Sequence, residues 1–323
     1  MDTPSLVVAI VNYRTPDLTI GSLRSLADEV KTTPTIRVVV ADNYSGDGSV
    51  DRIGGAIEEN GWGAWASLLA LPRNGGFSYG NNACFRPFLE EDRKPDYFLL
   101  LNPDTIVRSG AIAALLQFMS SRPEVGIAGS RLEDPDGRSQ LSAFRFHTII
   151  GEFNNQVRLG VFARLLGSWV RDPPITDASV RADWVAGASM MVRRAVFEQV
   201  GLFDEGYFLY FEEVDFCLRA FRAGWSCWYV PSSRVVHLVG QSTGVTNPSS
   251  RRNRLPKYWF DSRRRYFLKN HGPLYATIVD CVWFVGHLLW RVRRFLQRKP
   301  QTGPASLLVD YARNSVFARG YRL

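Results

Sequence analysis

Cysteine and histidine are scarce, with four of each in 323 residues. Cys84, Cys217, Cys227 and Cys281 form no CxxC pair and no Cys/His metal spacing. That excludes a zinc module and fits a reducing compartment. No GxGxxG follows the first apolar run, and no GxxxxGK(S/T) occurs anywhere, so neither a dinucleotide fold of the common kind nor a P-loop is indicated. Long apolar runs are also missing. Leu6–Val11 is too short for the core of a signal peptide and has no basic stretch before it, so none is expected. Residues 273–290 fall short of the ~20 apolar residues of a comfortable membrane span, with Asp280 near their middle.

What is present is an ordinary apolar content of 46% and an uneven charge. The net charge is +8, yet residues 251–323 alone carry +13, which leaves −5 for the first 250. A basic tail on a slightly acidic body points to an anionic partner surface.

The stretch Tyr97–Leu101 is five apolar residues in a row, the pattern of a strand covered on both faces. Asn102-Pro103 ends it, since Pro103 has no N–H for a ladder. Asp104 then lies just past the strand's carboxyl end, where open α/β sheets bind ligands. A carboxylate there suits a divalent cation held against a diphosphate. Leu6–Val11 and Ile36–Ala41 read as two further buried strands, and the helical spacing of Leu18, Leu23 and Leu26 makes them a βαβ unit favouring parallel pairing. Asp42 ends the second of these strands. It either accepts from a nucleotide or caps its own turn. Ala66–Leu71 reads as another strand, followed by Arg73-Asn74-Gly75-Gly76-Phe77, where paired glycines let backbone approach a ligand. A helix is expected from Ser78, Ala111–Met119 as a further helix, and Gly126–Ser130 and Trp225–Val230 as strands. Residues 140–180 show no clear period and suit a flap.

Trp184 to Ser189 passes through small residues, Gly187 and Ala188, that leave room for a substrate or for tight packing. Glu212 opens a helical pattern in which Val214, Cys217, Leu218 and Phe221 share a face and Gly224 follows the end. Glu212 and Glu213 occupy its first turn among aromatics, where partial desolvation makes a carboxylate a better base. Asp215 and Arg219 stand four apart and can pair. His237 lies among valines, as a core histidine or a metal ligand beside Asp104.

Five stretches in order resemble glycosyltransferase family 2, and within it the bacterial rhamnosyltransferase-like enzymes: Val11-Asn12-Tyr13; Ala41 to Ser45; Asn74 to Phe77 with Gly80-Asn81-Asn82; Leu101-Asn102-Pro103-Asp104; and Tyr210 to Asp215 with His237 and Gly240-Gln241-Ser242. The resemblance covers about residues 5–245. It implies a GT-A fold, an α/β nucleotide-binding sheet flanked by helices over residues 1–245, and inverting transfer of a sugar from a nucleotide diphosphate sugar, with dTDP-rhamnose as the first guess. Val11, Asn12, Tyr13, Asp42, Arg73, Asn74, Gly76, Phe77 and Asn102 would lie on the nucleotide side, and Trp184, Gly187 and Ala188 on the acceptor side. Asp104 would bind Mg²⁺ or Mn²⁺ with His237 as a second ligand. Glu213 would be the base, with Glu212 its rival. Asn102 stands where the family's DxD motif commonly has its first acid, and Glu213 where Asp is commoner.

Residues 246–323 are expected to be a basic, partly amphipathic helical segment. It would either lie on an anionic membrane surface or pack on the catalytic domain with its cations exposed. No module for nucleic acid accompanies its charge. The sequence thus points to a cytoplasmic enzyme, peripheral on the inner face of the membrane, acting on a lipid-linked or cell-surface glycan precursor. A non-catalytic nucleotide- or glycan-binding protein is the alternative. A sugar nucleotidyltransferase is disfavoured, because Asn12-Tyr13-Arg14-Thr15-Pro16 is no phosphate-gripping loop.

Overall fold

The computed structural model describes residues 4–92, 94–159, 164, 167, 172–238, 254–300, 304 and 306–323. The chain begins β1 (Leu6–Asn12), α1 (Pro16–Thr32), β2 (Ile36–Asp42), α2 (Ser49–Glu59), β3 (Ala66–Ala70), α3 (Gly76–Glu90), β4 (Tyr97–Leu101), β5 (Thr105–Val107) and α4 (Ala111–Ser120). It continues β6 (Val125–Glu133), β7 (Ala143–Phe144), α5 (Ile149–Val157), β8 (Val180–Ala182), β9 (Trp184–Val185), β10 (Ser189–Arg193), α6 (Arg194–Val200), α7 (Glu212–Arg222) and β11 (Ser226–His237). Three helices close it: α8 (Lys257–Leu296), α9 (Leu307–Asn314) and α10 (Val316–Arg319).

Among the described residues the main sheet runs β3-β2-β1-β4-β10-β6-β11-β5, with β8 on β11. The apolar runs explain its centre: every residue of β1 and β4 is buried, as strands covered by helices on both faces must be. β3, β2, β1 and β4 are parallel, as the βαβ pattern requires. β10 then runs antiparallel between β4 and β6. The sheet is therefore mixed, and the crossing of Ser189 opposite Leu101 brings the 184–188 segment to the carboxyl end of β4.

Several expectations are corrected. The strand expected over Trp225–Val230 begins at Ser226 and runs on as β11 to His237, bulged between Val230 and Arg234. Pro231 sits in that bulge, where its missing N–H costs no ladder bond. α3 starts at Gly76, two residues before Ser78. Residues 140–180 are not only a flap: they include β7, and α5 packs against α8. Phe221 is exposed, unlike Val214, Cys217 and Leu218. The Gly240-Gln241-Ser242 motif, Arg251, Arg252 and the boundary near residue 245 lie outside the described residues.

α8 bends at Gly272, which has φ +84° ahead of Pro273. Its first half joins a core with Tyr207, Phe211, Val214 and Leu218 of the segment around α7. The basic residues there are not spread over a surface. Arg265 and Lys269 pair with Asp204, Lys269 also with Asp215, and Arg263 is buried between Glu152 and Asp280. The second half is two-faced. Ala276, Val279, Trp283 and Trp290 are buried, with Trp283 stacked on Tyr311 of α9 at 3.5 Å. Leu274, Ile278, Val285, Leu288, Val292 and Phe295 are exposed on the other side, Phe295 by 80%. α8 is long and apolar enough by length and composition to cross a membrane, but a third of its apolar window is buried against the protein.

Candidate active site

The carboxyl ends of β1, β2 and β4 meet the segments before α3 and α7. At β1, Asn12 is a buried peg. Its amide nitrogen donates to Asp42 Oδ1 at 2.7 Å and to Ser45 Oγ, and its oxygen accepts from Thr19 Oγ1 at 2.9 Å. Asp42 accepts in addition from Ser45 N and Ser45 Oγ. The carboxylate therefore caps its own turn and fixes the rim of the site. Val11 is buried, with its methyls against Gly80, and Tyr13 is exposed beside it.

The glycine loop is held by a residue not singled out from the sequence. Asn43 donates to the Gly76 carbonyl at 3.0 Å and accepts from Gly75 N at 3.2 Å. Asn74 accepts from Gly76 N, closing the turn. Gly76 has φ +86°, and a Cβ there would fall 2.0 Å from the Phe208 carbonyl oxygen, which accepts from Phe77 N at 2.8 Å. Arg73 is exposed, its guanidinium 4.5 Å above the Tyr79 ring. Asn82 ties α3 to the Phe203 backbone through two hydrogen bonds. Loop 73–77 and the segment leading into α7 are thus docked together.

Past β4, Asn102 N donates to the Ala188 carbonyl at 3.0 Å. Asp104 is buried, and its Oδ1 has no hydrogen-bond partner. β5 pairs antiparallel with β11, with Thr105 opposite His237, and this register sets His237 Nε2 3.5 Å from Asp104 Oδ1. That gap exceeds a good hydrogen bond. An orphaned buried carboxylate oxygen with an imidazole nitrogen 3.5 Å from it fits a divalent cation. No group of three or more His, Cys, Asp or Glu ligands occurs among the described residues. The remaining coordination would come from diphosphate and water, as is common for Mg²⁺.

Across the site, Tyr210 and Phe211 both have positive φ, +69° and +68°, a strained entry to α7 for bulky residues. Asp215 there is fully engaged by Arg219, Lys269, Asn270 and Tyr207. Glu212 and Glu213 differ: each keeps an Oε2 without a partner. Burial pushes the Glu213 carboxyl up to about 7. Burial, and then the neighbouring Glu213, push Glu212 well above the carboxylate range. A Cβ on Gly187 would lie 3.4 Å from the Phe77 ring and 3.9 Å from Glu213 Cβ, so Gly187 keeps open the space between loop and acid. Ala188 is buried, and Trp184 stacks on Phe144 at 4.2 Å.

The mixed α/β sheet, with an unpartnered buried acid beyond its fourth strand and a carboxyl of raised proton affinity in the first turn of α7, is that of a GT-A glycosyltransferase. The chain belongs to the family described as Glycosyltransferase like family 2, which matches residues 2–255, and it is a glycosyltransferase. It is 33% identical over 280 residues to the N-acetylglucosaminyl-diphospho-decaprenol L-rhamnosyltransferase of Mycobacterium tuberculosis, covering 81% of each chain. It is 24% identical over 291 residues to the dTDP-rhamnosyl transferase RfbF of Shigella flexneri, covering 88% of this chain and 86% of that one. The fold is similar to that of the mannosyltransferase PcManGT from Pyrobaculum calidifontis in complex with GDP-Man and Mn²⁺. There the TM-score is 0.52 at 12% identity, over 99% of this chain and 85% of that one. It is also similar to S. aureus TarS 1-349 in complex with UDP, with a TM-score of 0.52 at 13% identity, over 92% and 75%.

Proposed function

We propose that the protein is an inverting rhamnosyltransferase that uses dTDP-rhamnose and a hydroxyl of a lipid-linked glycan precursor, with a prenyl-diphosphate-linked N-acetylhexosamine as the acceptor class. The observation that carries this reading is that Asp104 and Glu213 each keep a carboxylate oxygen without a hydrogen-bond partner, with the Gly187-Ala188 segment between them: Ala188 accepts from Asn102 N, and a Cβ on Gly187 would lie 3.9 Å from Glu213 Cβ. The names of the two rhamnosyltransferase relatives support the donor.

Glu213 accepts the acceptor hydroxyl's proton as that oxygen attacks the anomeric carbon. Its raised proton affinity matches it to this task near neutral pH. Glu212, pushed well above the carboxylate range by burial and by Glu213, is the rival base. Val11, Asn12, Tyr13 and Asp42 shape the nucleotide rim. The 73–77 loop offers Arg73 to phosphate, and the backbone around Gly76 and Asn102 borders the sugar-diphosphate. Asp104 and His237 would hold Mg²⁺ or Mn²⁺, which supplies charge neutralisation at the leaving diphosphate. Trp184, Gly187 and Ala188 border the acceptor.

The exposed apolar face of α8, flanked by Arg291, Arg293, Arg294, Arg298 and Lys299, suits an anionic bilayer surface, where a prenyl acceptor would reside. On this reading the enzyme is peripheral, on the cytoplasmic face.

The test is transfer by purified full-length protein, across a panel of nucleotide sugars with Mg²⁺ or Mn²⁺ and a prenyl-diphosphate-linked N-acetylglucosamine. Consumption of dTDP-rhamnose alone supports the donor. Consumption of another sugar replaces it, and binding of nucleotide without turnover of any donor contradicts the enzymatic reading.

A further inference from the structure

His147 belongs to none of the stretches that carry the family resemblance, yet its ring lies against Phe211, the strained residue that leads into α7. Its ring lies 5.0 Å from that of Phe211, the residue before Glu212, and 6.2 Å from that of Trp184, near-parallel to it. It keeps about a quarter of its side chain exposed. Nδ1 is 3.0 Å from Glu152 Oε1. Glu152 in turn takes Arg263 Nη2 at 2.8 Å, and Arg263 Nη1 donates to Asp280 at 2.8 Å. Asp280 accepts from Tyr311 and from Val316 N. All of Glu152, Arg263 and Asp280 are buried. One chain of charged hydrogen bonds therefore runs from α9 and α10, through both halves of α8, to His147.

The order of this chain fixes the imidazole. Burial alone would raise Glu152, but the Arg263 charge and the His147 contact outweigh it and hold the carboxyl at about 2. An ionised carboxylate only accepts, so Nδ1 carries the hydrogen and the ring is held by that bond. The ionisable groups around His147 are Glu152 on α5, Arg263 and Tyr266 on α8, Glu212 and Glu213 on α7, and the Arg145–Asp183 pair beside Trp184.

We propose that His147 is a positioning residue for Glu213, oriented by Glu152 and Arg263, so that the long C-terminal helix takes part in setting the base. Its catalytic consequence rests on the reading of Glu213 as the base. Positive charge on the imidazole favours ionised Glu213, which keeps the base competent at lower pH.

Two measurements test it on the full-length protein. In the first, NMR follows the imidazole signals, which only four histidines contribute, with His147→Gln identifying the one of interest. Glu213→Gln is expected to lower the His147 midpoint by ~0.3 unit or more, because the carboxylate and imidazolium favour each other reciprocally. An unmoved midpoint overturns the proposal, and this readout holds whether or not Glu213 is the base. In the second, His147→Gln is expected to move the acid limb of the kcat/KM profile alkaline by ~0.5 unit, about a threefold loss on that limb that fades above it. Glu152→Gln should do the same more weakly. A uniform loss at every pH in folded His147→Gln would mean a structural role only and would overturn the positioning claim. Full activity in Glu213→Gln would instead overturn the base assignment and leave the NMR result standing.

Discussion

The carbonyl oxygen of Phe208 occupies the place that a Cβ on Gly76 would need, 2.0 Å from it. Loop 73–77 and the approach to α7 are therefore in backbone contact, with Phe77 N donating to that same oxygen. Movement of either one displaces the other. Gly76→Ala meets both this collision and the cost of φ +86°, together roughly 2–4 kcal/mol. Thermal unfolding should show the loss of stability, and donor affinity should fall with it. A variant with wild-type stability and affinity would mean that the contact is not maintained.

Glu212 and Glu213 are held against their own ionisation, and this has a consequence for stability. For a carboxyl whose folded value is raised, the folded state binds the extra proton, so stability is fully present below the unfolded value and is lost as pH rises through the folded one. For Glu213 that window runs from 4.5 to about 7. Glu212→Gln and Glu213→Gln should each raise the Tm at pH 8 and change it little at pH 4, with up to about 3 kcal/mol at stake for Glu213. Equal shifts at both pH values would contradict the burial of these charges.

Asp104 and His237 make a separate prediction about metal. Asp104→Asn removes the carboxylate donor with little change of shape, and His237→Ala removes the imidazole. Mn²⁺ titration followed by electron paramagnetic resonance, with nucleotide diphosphate present, should show binding lost in the first and weakened in the second. Transfer should drop by ~10³-fold or more in Asp104→Asn, the several kcal/mol that charge neutralisation at a leaving group supplies. Retained Mn²⁺ affinity in Asp104→Asn would place the cation elsewhere.

Arg263 sits between two buried carboxylates, Glu152 and Asp280. Arg263→Met leaves both without their cation, at a cost of about 3–5 kcal/mol. Glu152 itself is held low, so its contribution is present above the usual carboxyl value and is lost as pH falls toward 2. Acid unfolding of the wild type should accordingly involve release of α8, seen as a change in the fluorescence of Trp283 and Trp290.

The apolar face of α8 predicts membrane binding. Leu288→Glu with Phe295→Glu, both exposed, should leave the Tm unchanged and weaken flotation with anionic phospholipid vesicles by at least about tenfold, given the ~1.5–3 kcal/mol that each buried apolar side chain contributes. Unchanged flotation would assign the face to another partner.

The parts of this molecule that were legible in the sequence are those where one local pattern has one structural meaning. Tyr97–Leu101 could only be a buried strand, and Pro103 could only end it. Gly224, with φ +93° after the last turn of α7, is of the same kind. Arg263 was not legible, because an arginine among aromatics reads alike whether it faces lipid or a carboxylate 111 residues away. The strand expected over Trp225–Val230 stops short because Pro231 suggests an end, whereas the bulge lets β11 continue to His237. Asn12 and Asp42 lie at the site, but their polar atoms are committed to one another, which only the turn geometry reveals. Asn43 stood within a quoted stretch and could have been singled out by its place before a glycine turn. His147 carried no signal beyond the rarity of histidine.

Glu213 is the acid proposed to take the acceptor's proton. The most direct measurement is the rate of transfer, in parallel for the wild type, Glu213→Gln and Glu212→Gln, each with its Tm recorded. A folded Glu213→Gln that has lost ~10²–10⁴ of the rate, beside a Glu212→Gln that keeps much more, is the expected result. A Glu213→Gln that transfers at the wild-type rate would contradict it.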